Sequence, residues 1–350
     1  MKILRPISTL VCCLMWTASA AAQTSPPPSG AETPAAASKP AAKPKAKPPA
    51  APKKPAATPG PNATETHAPA PDDPNVDLVF GAYQRGQYKT AFNLAIKRAE
   101  GGDPKAMTML GELYANEMGV KRDYAKAADW YRRAADGGDR EGMFALAMLR
   151  LAGRGGPVNR EEAVRLLASS AKLGNPKASY NLALLYLDGQ TLPQDVKRAA
   201  ELLRVAADAG NPEAQYALAT FYKEGTGVEK NIEKAVRLLQ AASLADNVDA
   251  EVEYAIALYN GTGTPKNEAA AVALLRKAAR QNSPIAQNRL ARVLVNGLGT
   301  PMDKIEGLKW HIVAKTAGRG DPMLDEALAE LSPEDRAKVE AAARRWLGTK

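Results

Sequence analysis

The chain has 350 residues, of which 45% are hydrophobic and 5% aromatic, and its formal net charge is +9 at pH 7. This length and hydrophobic content are ample for a folded domain. The two cysteines, Cys12 and Cys13, both lie near the N terminus. The rest of the chain therefore has neither a disulfide framework nor a thiolate metal site.

Residues 1–22 have the order of a secretory signal peptide, with a short basic start, an apolar run and then small residues. We expect cleavage after Ala20 or Ala22. The apolar run is too short to remain as a membrane span, and Val11 precedes Cys12 where lipoprotein processing needs a small residue. The sequence therefore predicts a periplasmic protein that keeps no stable membrane span once the signal is removed.

Residues 23–75 form a segment of distinct composition, rich in proline, alanine and lysine. From residue 24 to residue 75 there is no Val, Ile, Leu, Met, Phe, Trp or Tyr, so this segment has nothing with which to form a core. We predict a disordered linker with polyproline II character. Its lysines are separated by proline, which favours a solubilising linker over a basic spacer that touches acidic envelope polymers.

Residues 76–104 contain Phe80, Tyr83, Tyr88 and Ala91 at helical spacing. This stretch resembles a plain tetratricopeptide hairpin without a Gly-rich loop. We expect it to cover the N-terminal end of the helical array that follows.

Residues 105–321 contain six units of about 36 residues, because several kinds of position recur in phase. Apolar residues at steps of three and four indicate two amphipathic helices in each unit. The two polar turn positions are Asp103, Asp139, Asn175, Asn211, Asn247 and Ser283, and then Asp123, Asn159, Asp195, Asn231, Asn267 and Asp303. The two small-residue positions are Gly111, Ala147, Ala183, Ala219, Ala255 and Ala291, and then Ala127, Ala163, Ala199, Ala235, Ala271 and Gly307.

A hairpin of this length buries too little apolar area to be stable alone, so neighbouring units must stack. The pattern resembles the Sel1-like repeat, a relative of the tetratricopeptide repeat, and in the fourth unit it comprises Ala214, Leu218, Ala219, Tyr222, Gly225, Thr226, Gly227, Val228, Asn231, Lys234, Ala235, Ala241 and Ala242. We predict an all-α fold, a right-handed superhelical α-solenoid of Sel1-like, tetratricopeptide-type helical hairpins preceded by the disordered segment. Unit two departs from the pattern at Gly142 and Arg150, and unit three lacks the second loop glycine.

Residues 322–350 are expected to form capping helices at the C-terminal end. Ser332 has the character of an N-cap residue, and Pro333 stands where the first helical residue belongs. The apolar residues that follow, as far as Trp346, lie on one helical face. A cap of this kind keeps the last repeat from exposing its apolar side.

Few residues could support catalysis. His67 lies in the linker, and His311 stands in a column filled mainly by leucine, which favours a packed or half-exposed helical histidine. The sequence has no paired-histidine zinc motif and no nucleophile elbow. The Gly-x-Gly loops join helix to helix and lack the lysine of a phosphate-binding loop, so we interpret them as turns. We predict no catalytic residue, no cofactor and no metal site, and therefore a protein that is not an enzyme.

The charge distribution argues against nucleic acid as a partner. Residues 76–350 carry 39 Lys or Arg and 34 Asp or Glu, a net charge of +5. A nucleic-acid-binding face needs a basic stripe with stacking aromatic residues. The charges instead alternate in sign along the helices, as in Lys230, Glu233 and Lys234.

In tetratricopeptide-type hairpins the first helix of each unit lines the concave side, and the resemblance carries this role over to defined positions. The row comprises Phe144, Tyr180, Tyr216 and Val252, with Met148, Leu184, Thr220 and Ile256 four residues further on and Asn181 and Asn288 nearby. Such a groove can hold a peptide helix or an extended segment. Packing between adjacent first helices would give the same periodicity, so both interpretations stay open. The predicted partner-binding residues are Phe144, Met148, Tyr180, Asn181, Tyr216, Thr220 and Asn288.

Sel1-like proteins generally serve as adaptors in protein complexes and signalling, so the resemblance implies a protein partner. The predicted location narrows this to a membrane or envelope protein. The chain resembles periplasmic repeat proteins that restrain a membrane sensor kinase and regulate exopolysaccharide or envelope stress. The alternatives are a structural spacer and a cell-wall-associated glycan binder or penicillin-interacting hydrolase. Secreted Sel1-like proteins linked to penicillin binding carry a cysteine pair in each repeat, which this chain lacks.

Overall fold

A computed structural model of the protein describes residues 77–348. Within this range the regular structure consists of sixteen helices without a strand, which confirms the predicted all-α fold. The predicted signal peptide and linker, together with Cys12, Cys13 and His67, lie outside the described residues.

The helices follow one another in pairs. An N-terminal pair consists of α1 (Leu78–Gln84) and α2 (Tyr88–Glu100). Six pairs of regular length follow: α3 (Pro104–Asn116) and α4 (Tyr124–Asp136), α5 (Arg140–Ala152) and α6 (Arg160–Lys172), α7 (Pro176–Asp188) and α8 (Val196–Asp208), α9 (Pro212–Glu224) and α10 (Ile232–Leu244), α11 (Val248–Asn260) and α12 (Glu268–Arg280), and α13 (Pro284–Asn296) and α14 (Lys304–Thr316). The last pair is α15 (Pro322–Ala329) and α16 (Pro333–Leu347).

The recurring polar turn positions are helix caps. In the fourth regular pair, Asn211 Oδ1 accepts a hydrogen bond from the Ala214 N–H at 2.7 Å. Asn231 Oδ1 accepts one from the Lys234 N–H at 2.8 Å. Each bond satisfies a backbone donor that the first turn of a helix leaves unpaired. Between them, α9 ends at Gly225, whose φ of 81° is left-handed and turns the chain toward α10.

The recurring small residues set the spacing of the helices. Ala219 on α9 and Ala235 on α10 are both buried at the contact between the two helices, with Leu239 filling the space beside them. Small side chains at such a contact let two helix backbones approach closely. The second helix of every pair also packs on the first helix of the next pair. The core therefore continues from pair to pair, as in other α-solenoids.

The first and third repeats depart from this pattern in defined ways. In the first, Gly111 faces the ring of Tyr131, and a methyl group on Gly111 would lie 2.5 Å from that ring. In the third, the loop that lacks its second glycine is held instead by side chains. The Gln190 N–H donates to the Asp188 carboxylate at 2.8 Å, and the side chain of Gln194 donates to a backbone carbonyl at 3.0 Å.

The C-terminal pair covers the last regular repeat. The Ser332 hydroxyl accepts a hydrogen bond from the Asp335 N–H at 3.1 Å, so the predicted N-cap is confirmed. Helix α16 packs against α14, where the rings of Trp310 and Trp346 meet edge to face with centroids 4.9 Å apart. Val339 on α16 is completely buried in the core of this end.

Candidate partner-binding face

The predicted groove residues lie on the first helices of successive pairs. We call the surface formed by α3, α5, α7, α9, α11 and α13 at these positions the first-helix face. Its central row is Phe144, Tyr180 and Tyr216, one residue from each of α5, α7 and α9. All three side chains are half-buried. The row is therefore neither fully solvent-exposed nor part of the closed core.

Each of the three aromatic side chains packs on an alanine-rich and leucine-rich core cluster. Phe144 contacts the cluster that contains Leu167, Tyr180 the cluster that contains Leu203, and Tyr216 the cluster that contains Leu239. Burial, with a smaller effect of the nearby Glu213 carboxylate, raises the pKa of the Tyr180 hydroxyl. The rings are thus held in place by the repeats while part of each remains accessible.

The residues four positions further on continue this surface. Met148, Leu184, Thr220 and Ile256 are all half-buried. The Thr220 hydroxyl donates a hydrogen bond to the carbonyl of Tyr216 at 3.2 Å, which is a bond within its own helix. This row adds apolar area and one hydroxyl oxygen beside the aromatic row.

The two asparagines of the predicted groove have different surroundings. Asn181 is half-buried, and its Nδ2 donates to the Lys177 carbonyl at 2.8 Å within α7. Asn288 reaches out of its own repeat, because its Nδ2 donates to the Arg319 carbonyl at 3.4 Å. Asn288 therefore helps to hold the turn that precedes α15, in addition to its place on the face.

One residue of the row does not belong to an accessible surface. Val252 was expected to line the groove with the aromatic residues, but its side chain is only 4% exposed and belongs to the core cluster at the C-terminal end. The smaller valine side chain lies beneath the level at which the rings of Tyr180 and Tyr216 remain accessible. For Val252 the core interpretation is correct.

Charged residues that the pattern analysis did not single out also lie on this face. Asp249 and Glu253 are on α11, and Glu253 forms an ion pair with Lys223 on α9 at 3.0 Å. Burial and the nearby Glu253 raise the pKa of the Asp249 carboxyl. The equivalent positions on α13 carry Ile285 and Arg289. A comparison of equivalent positions across the repeats, instead of the net charge, would have revealed this change of sign.

His311 is fully buried, so the packed interpretation applies and the half-exposed one does not. Its Nε2 lies 2.8 Å from Asp325 Oδ1, which also accepts a hydrogen bond from the Lys315 ammonium at 2.6 Å. The histidine therefore joins α14 to α15. Within residues 77–348 there is no group of three or more His, Cys, Asp or Glu side chains that could hold a metal ion. None of the helices in this range is both long and apolar enough to cross a membrane.

A cavity of about 270 Å³ lies at the N-terminal end of the first-helix face. Met109 and Glu112 on α3 line it, together with Phe80 on α1. Its charged walls are mixed, since Arg98 and Lys105 stand with Asp77 and Glu112. The balance of charge in this cavity favours neither an anionic nor a cationic ligand.

The family comparison matches the regular repeats to a known family. The Sel1 repeat matches six consecutive segments, at residues 104–139, 140–175, 176–211, 212–247, 248–283 and 284–318, which together are more than half of the chain. No curated protein matches the chain significantly.

Solved structures give the same result. The crystal structure of a Sel1 repeat protein from Oxalobacter formigenes has 25% sequence identity and a TM-score of 0.62, and the match covers 68% of this chain and 98% of that one. A protective antigen present in uropathogenic Escherichia coli strains, with the same repeat fold, has 26% identity and a TM-score of 0.51 over 77% of this chain and 67% of that one. These matches confirm the resemblance on which the solenoid was predicted.

Proposed function

The chain belongs to the Sel1 repeat family, and from this premise we propose that it is a non-enzymatic scaffold that binds a protein partner on its first-helix face. Sel1 repeat proteins generally mediate protein–protein interactions. We further propose that the scaffold acts in the periplasm on a membrane or envelope protein, in the control of a signalling, exopolysaccharide or envelope-stress system.

The observation that carries the proposal is the half-buried aromatic row of Phe144, Tyr180 and Tyr216. Aromatic side chains and methionine are enriched at the centres of protein interfaces, because they bury a large area with few rotatable bonds. Here the core clusters beneath the rings already hold them in place. Binding would therefore cost these side chains less conformational entropy than it would cost side chains on a mobile surface.

The support for the proposed location is the signal-peptide pattern of residues 1–22. Determining the N-terminal residue of the protein purified from the periplasmic fraction tests the location. We expect Ala21 or Gln23 at the N terminus, and recovery of the unprocessed chain in the cytoplasm would contradict the proposal.

The binding face is tested by photo-crosslinking in living cells. A photoreactive residue at position 148 or 184 samples the first-helix face, and one in place of Leu244, which is 80% exposed at the end of the second helix α10, samples a matched outer site. We expect one protein to be captured from both face positions and not from position 244. The double change Tyr180→Ser and Tyr216→Ser should abolish that capture while thermal unfolding and circular dichroism still report a folded solenoid.

Equal capture from Leu244 and from the face would refute the proposed binding surface. Capture of wall fragments from positions 148 and 184, or covalent labelling of the purified chain by a fluorescent penicillin, would instead support the glycan-binding or hydrolase alternative. Deletion of the gene should change exopolysaccharide production or envelope-stress transcription. Unchanged output of both would contradict the proposed regulatory role even if a partner is captured.

A further inference from the structure

The first-helix face reverses its charge between the fifth and sixth regular repeats. On α11 the second and sixth helical positions are Asp249 and Glu253, whereas on α13 the same positions are Ile285 and Arg289. The ninth position changes from Ile256 to Arg292. Residues 276–319 as a whole carry nine Lys or Arg and two Asp or Glu. Positive charge is therefore concentrated in the C-terminal part of the repeat array, on its first and second helices alike.

Three arginines lie on the two segments that meet here, α13 and the turn before α15. Arg289 and Arg292 lie three residues apart on α13 and so share a helical face. Arg292 forms an ion pair with Asp321, the N-cap of α15. The backbone of Arg319 lies next to α13, because its carbonyl accepts the hydrogen bond from Asn288. We call Arg289, Arg292 and Arg319 the arginine cluster.

The arginine cluster has more positive charge than the protein neutralises. Among residues 77–348 the one carboxylate that pairs with it is Asp321, which is almost fully buried and bonded to Arg292. Arg289 and Arg319 are exposed and make no ion pair with any described residue. Ile285, which lies one helical turn before Arg289 on α13, is 39% exposed, and Met323, four residues after Arg319, is 71% exposed. Unpaired guanidinium groups with exposed apolar residues nearby in the chain suit a carboxylate with apolar neighbours.

We propose that the arginine cluster binds a short acidic segment of the protein partner, with the carboxylates on Arg289 and Arg319 and apolar side chains on Ile285 and Met323. This inference rests on the proposed function and assigns the chemistry of the partner at one end of the face. Arginine guanidinium groups form bidentate hydrogen bonds with carboxylates, and these bonds are both strong and specific in their geometry. The acidic segment thereby fixes the register of the partner on the repeats.

The charges on the neighbouring repeat distinguish two classes of partner, a protein segment and a long polyanion. Asp249 and Glu253 lie on the same face one repeat before the cluster. A uniformly charged polymer, such as nucleic acid or an acidic polysaccharide, would be repelled by the Asp249 carboxylate as it ran along the face, while Glu253 is already paired with Lys223. A protein segment has negative charge over a few residues only and can present apolar or basic residues to α11. The observed alternation therefore favours a polypeptide.

The proposal is tested by selection from a phage-displayed library of short random peptides against the purified full-length chain. The variant Arg289→Glu with Arg319→Glu removes both unpaired charges, and Arg165→Glu with Arg237→Glu makes the same change of net charge at exposed, unpaired arginines on the second helices α6 and α10. We expect wild type and the control to select peptides with adjacent Asp or Glu beside apolar residues. The cluster variant should bind those peptides at least tenfold more weakly, because the charged hydrogen bonds to both guanidinium groups are lost and the new carboxylates repel the acidic peptide.

The outcomes separate this inference from the proposed function. Two outcomes would overturn the acidic-segment proposal and leave the proposed binding face intact. In one, the selected peptides show no enrichment of Asp or Glu. In the other, the peptides bind the cluster variant as tightly as the wild type but no longer bind the variant Tyr180→Ser with Tyr216→Ser. Failure to select any peptide, together with failure of the crosslinking experiment, would overturn both. Binding of the wild-type chain to anionic phospholipid vesicles or to heparin that depends on Arg289 and Arg319, without peptide selection, would show that the cluster recognises a polyanion and would overturn the proposal.

Discussion

The contact between Gly111 and Tyr131 allows a test of how side-chain size determines the spacing between paired helices. Both residues lie at the contact between α3 and α4, where a methyl group on Gly111 would come within 2.5 Å of the tyrosine ring. Four other repeats fill the same two positions with alanine and leucine, namely Ala147 and Leu167, Ala183 and Leu203, Ala219 and Leu239, and Ala255 and Leu275. The first repeat thus uses a smaller residue on one helix and a larger one on the other.

The effect of Gly111→Ala should change sign with the residue at position 131. In the wild type, the overpacked ring costs about 1–3 kcal/mol, which outweighs the roughly 1 kcal/mol that alanine gains over glycine in a helix interior. With Tyr131→Leu the ring is gone, so the helix gain remains and the methyl group fills space that the smaller leucine leaves. We expect Gly111→Ala to destabilise the wild type and to stabilise the Tyr131→Leu protein by about 1 kcal/mol.

The assay is urea unfolding of the purified chain, followed by circular dichroism, for the wild type, both single variants and the double variant. The coupling between the two changes equals the overpacking cost and should be about 1–3 kcal/mol, well above the few tenths expected for distant sites. Repeat arrays can unfold in parts, so hydrogen exchange of α3 amides should show the same reversal. Tyr131→Leu combined with the remote change Ala219→Gly serves as the additive control. Equal destabilisation by Gly111→Ala with either residue at position 131 would refute the steric argument.

Two further predictions concern stability. Hydrogen bonds from Lys315 and His311 hold the pKa of the Asp325 carboxyl below its usual value, so its ionised form stabilises the folded protein above about pH 4 and that contribution is lost as the pH falls further. The melting temperature of Asp325→Asn should therefore lie below that of the wild type at pH 7, and the difference should shrink toward pH 3. A difference that does not change with pH would contradict this prediction. Gly227→Ala should lower the free energy of unfolding, measured in urea, several times more than Gly210→Ala does. Both glycines have a left-handed φ, but only at Gly227 would the methyl group lie 2.8 Å from a backbone oxygen. Equal losses of unfolding free energy would show that the left-handed φ alone determines the effect.

The helices could be predicted from the sequence because the same kinds of capping and packing residues recur in every repeat. The caps illustrate this: Asn211 and Asn231 recur in phase as Asp, Asn or Ser, and the structure uses them as N-caps. Small residues such as Ala219 and Ala235 also recur because any larger side chain would separate the helices. Local periodicity and capping act over a few residues, so they are visible in the linear sequence.

The accessible surface was harder to predict because it depends on how deeply each side chain is buried and on contacts with residues outside its own repeat. Val252 shares its register with Tyr216, yet the valine is buried and the tyrosine half-buried, since side-chain length decides which atoms reach the surface. The partners of Asn288 and His311 lie in the turn before α15 and on α15 itself. The repeat pattern ends before these residues, so phase alone gave no indication of either contact.

The structure separates the positions that hold the solenoid together from those available for recognition. The buried small residues, such as Ala255 and Ala291 on α11 and α13, stay the same from one repeat to the next, whereas a position beside them changes from the half-buried Glu253, which pairs with Lys223, to the exposed and unpaired Arg289. Exposed side chains without intramolecular partners contribute little to folding, and substitutions there usually change stability by less than about 0.5 kcal/mol. A change at Arg289 can therefore alter a partner's affinity without unfolding the array. Packing does not require the charge reversal along the face, so we expect it to serve the proposed binding of a partner.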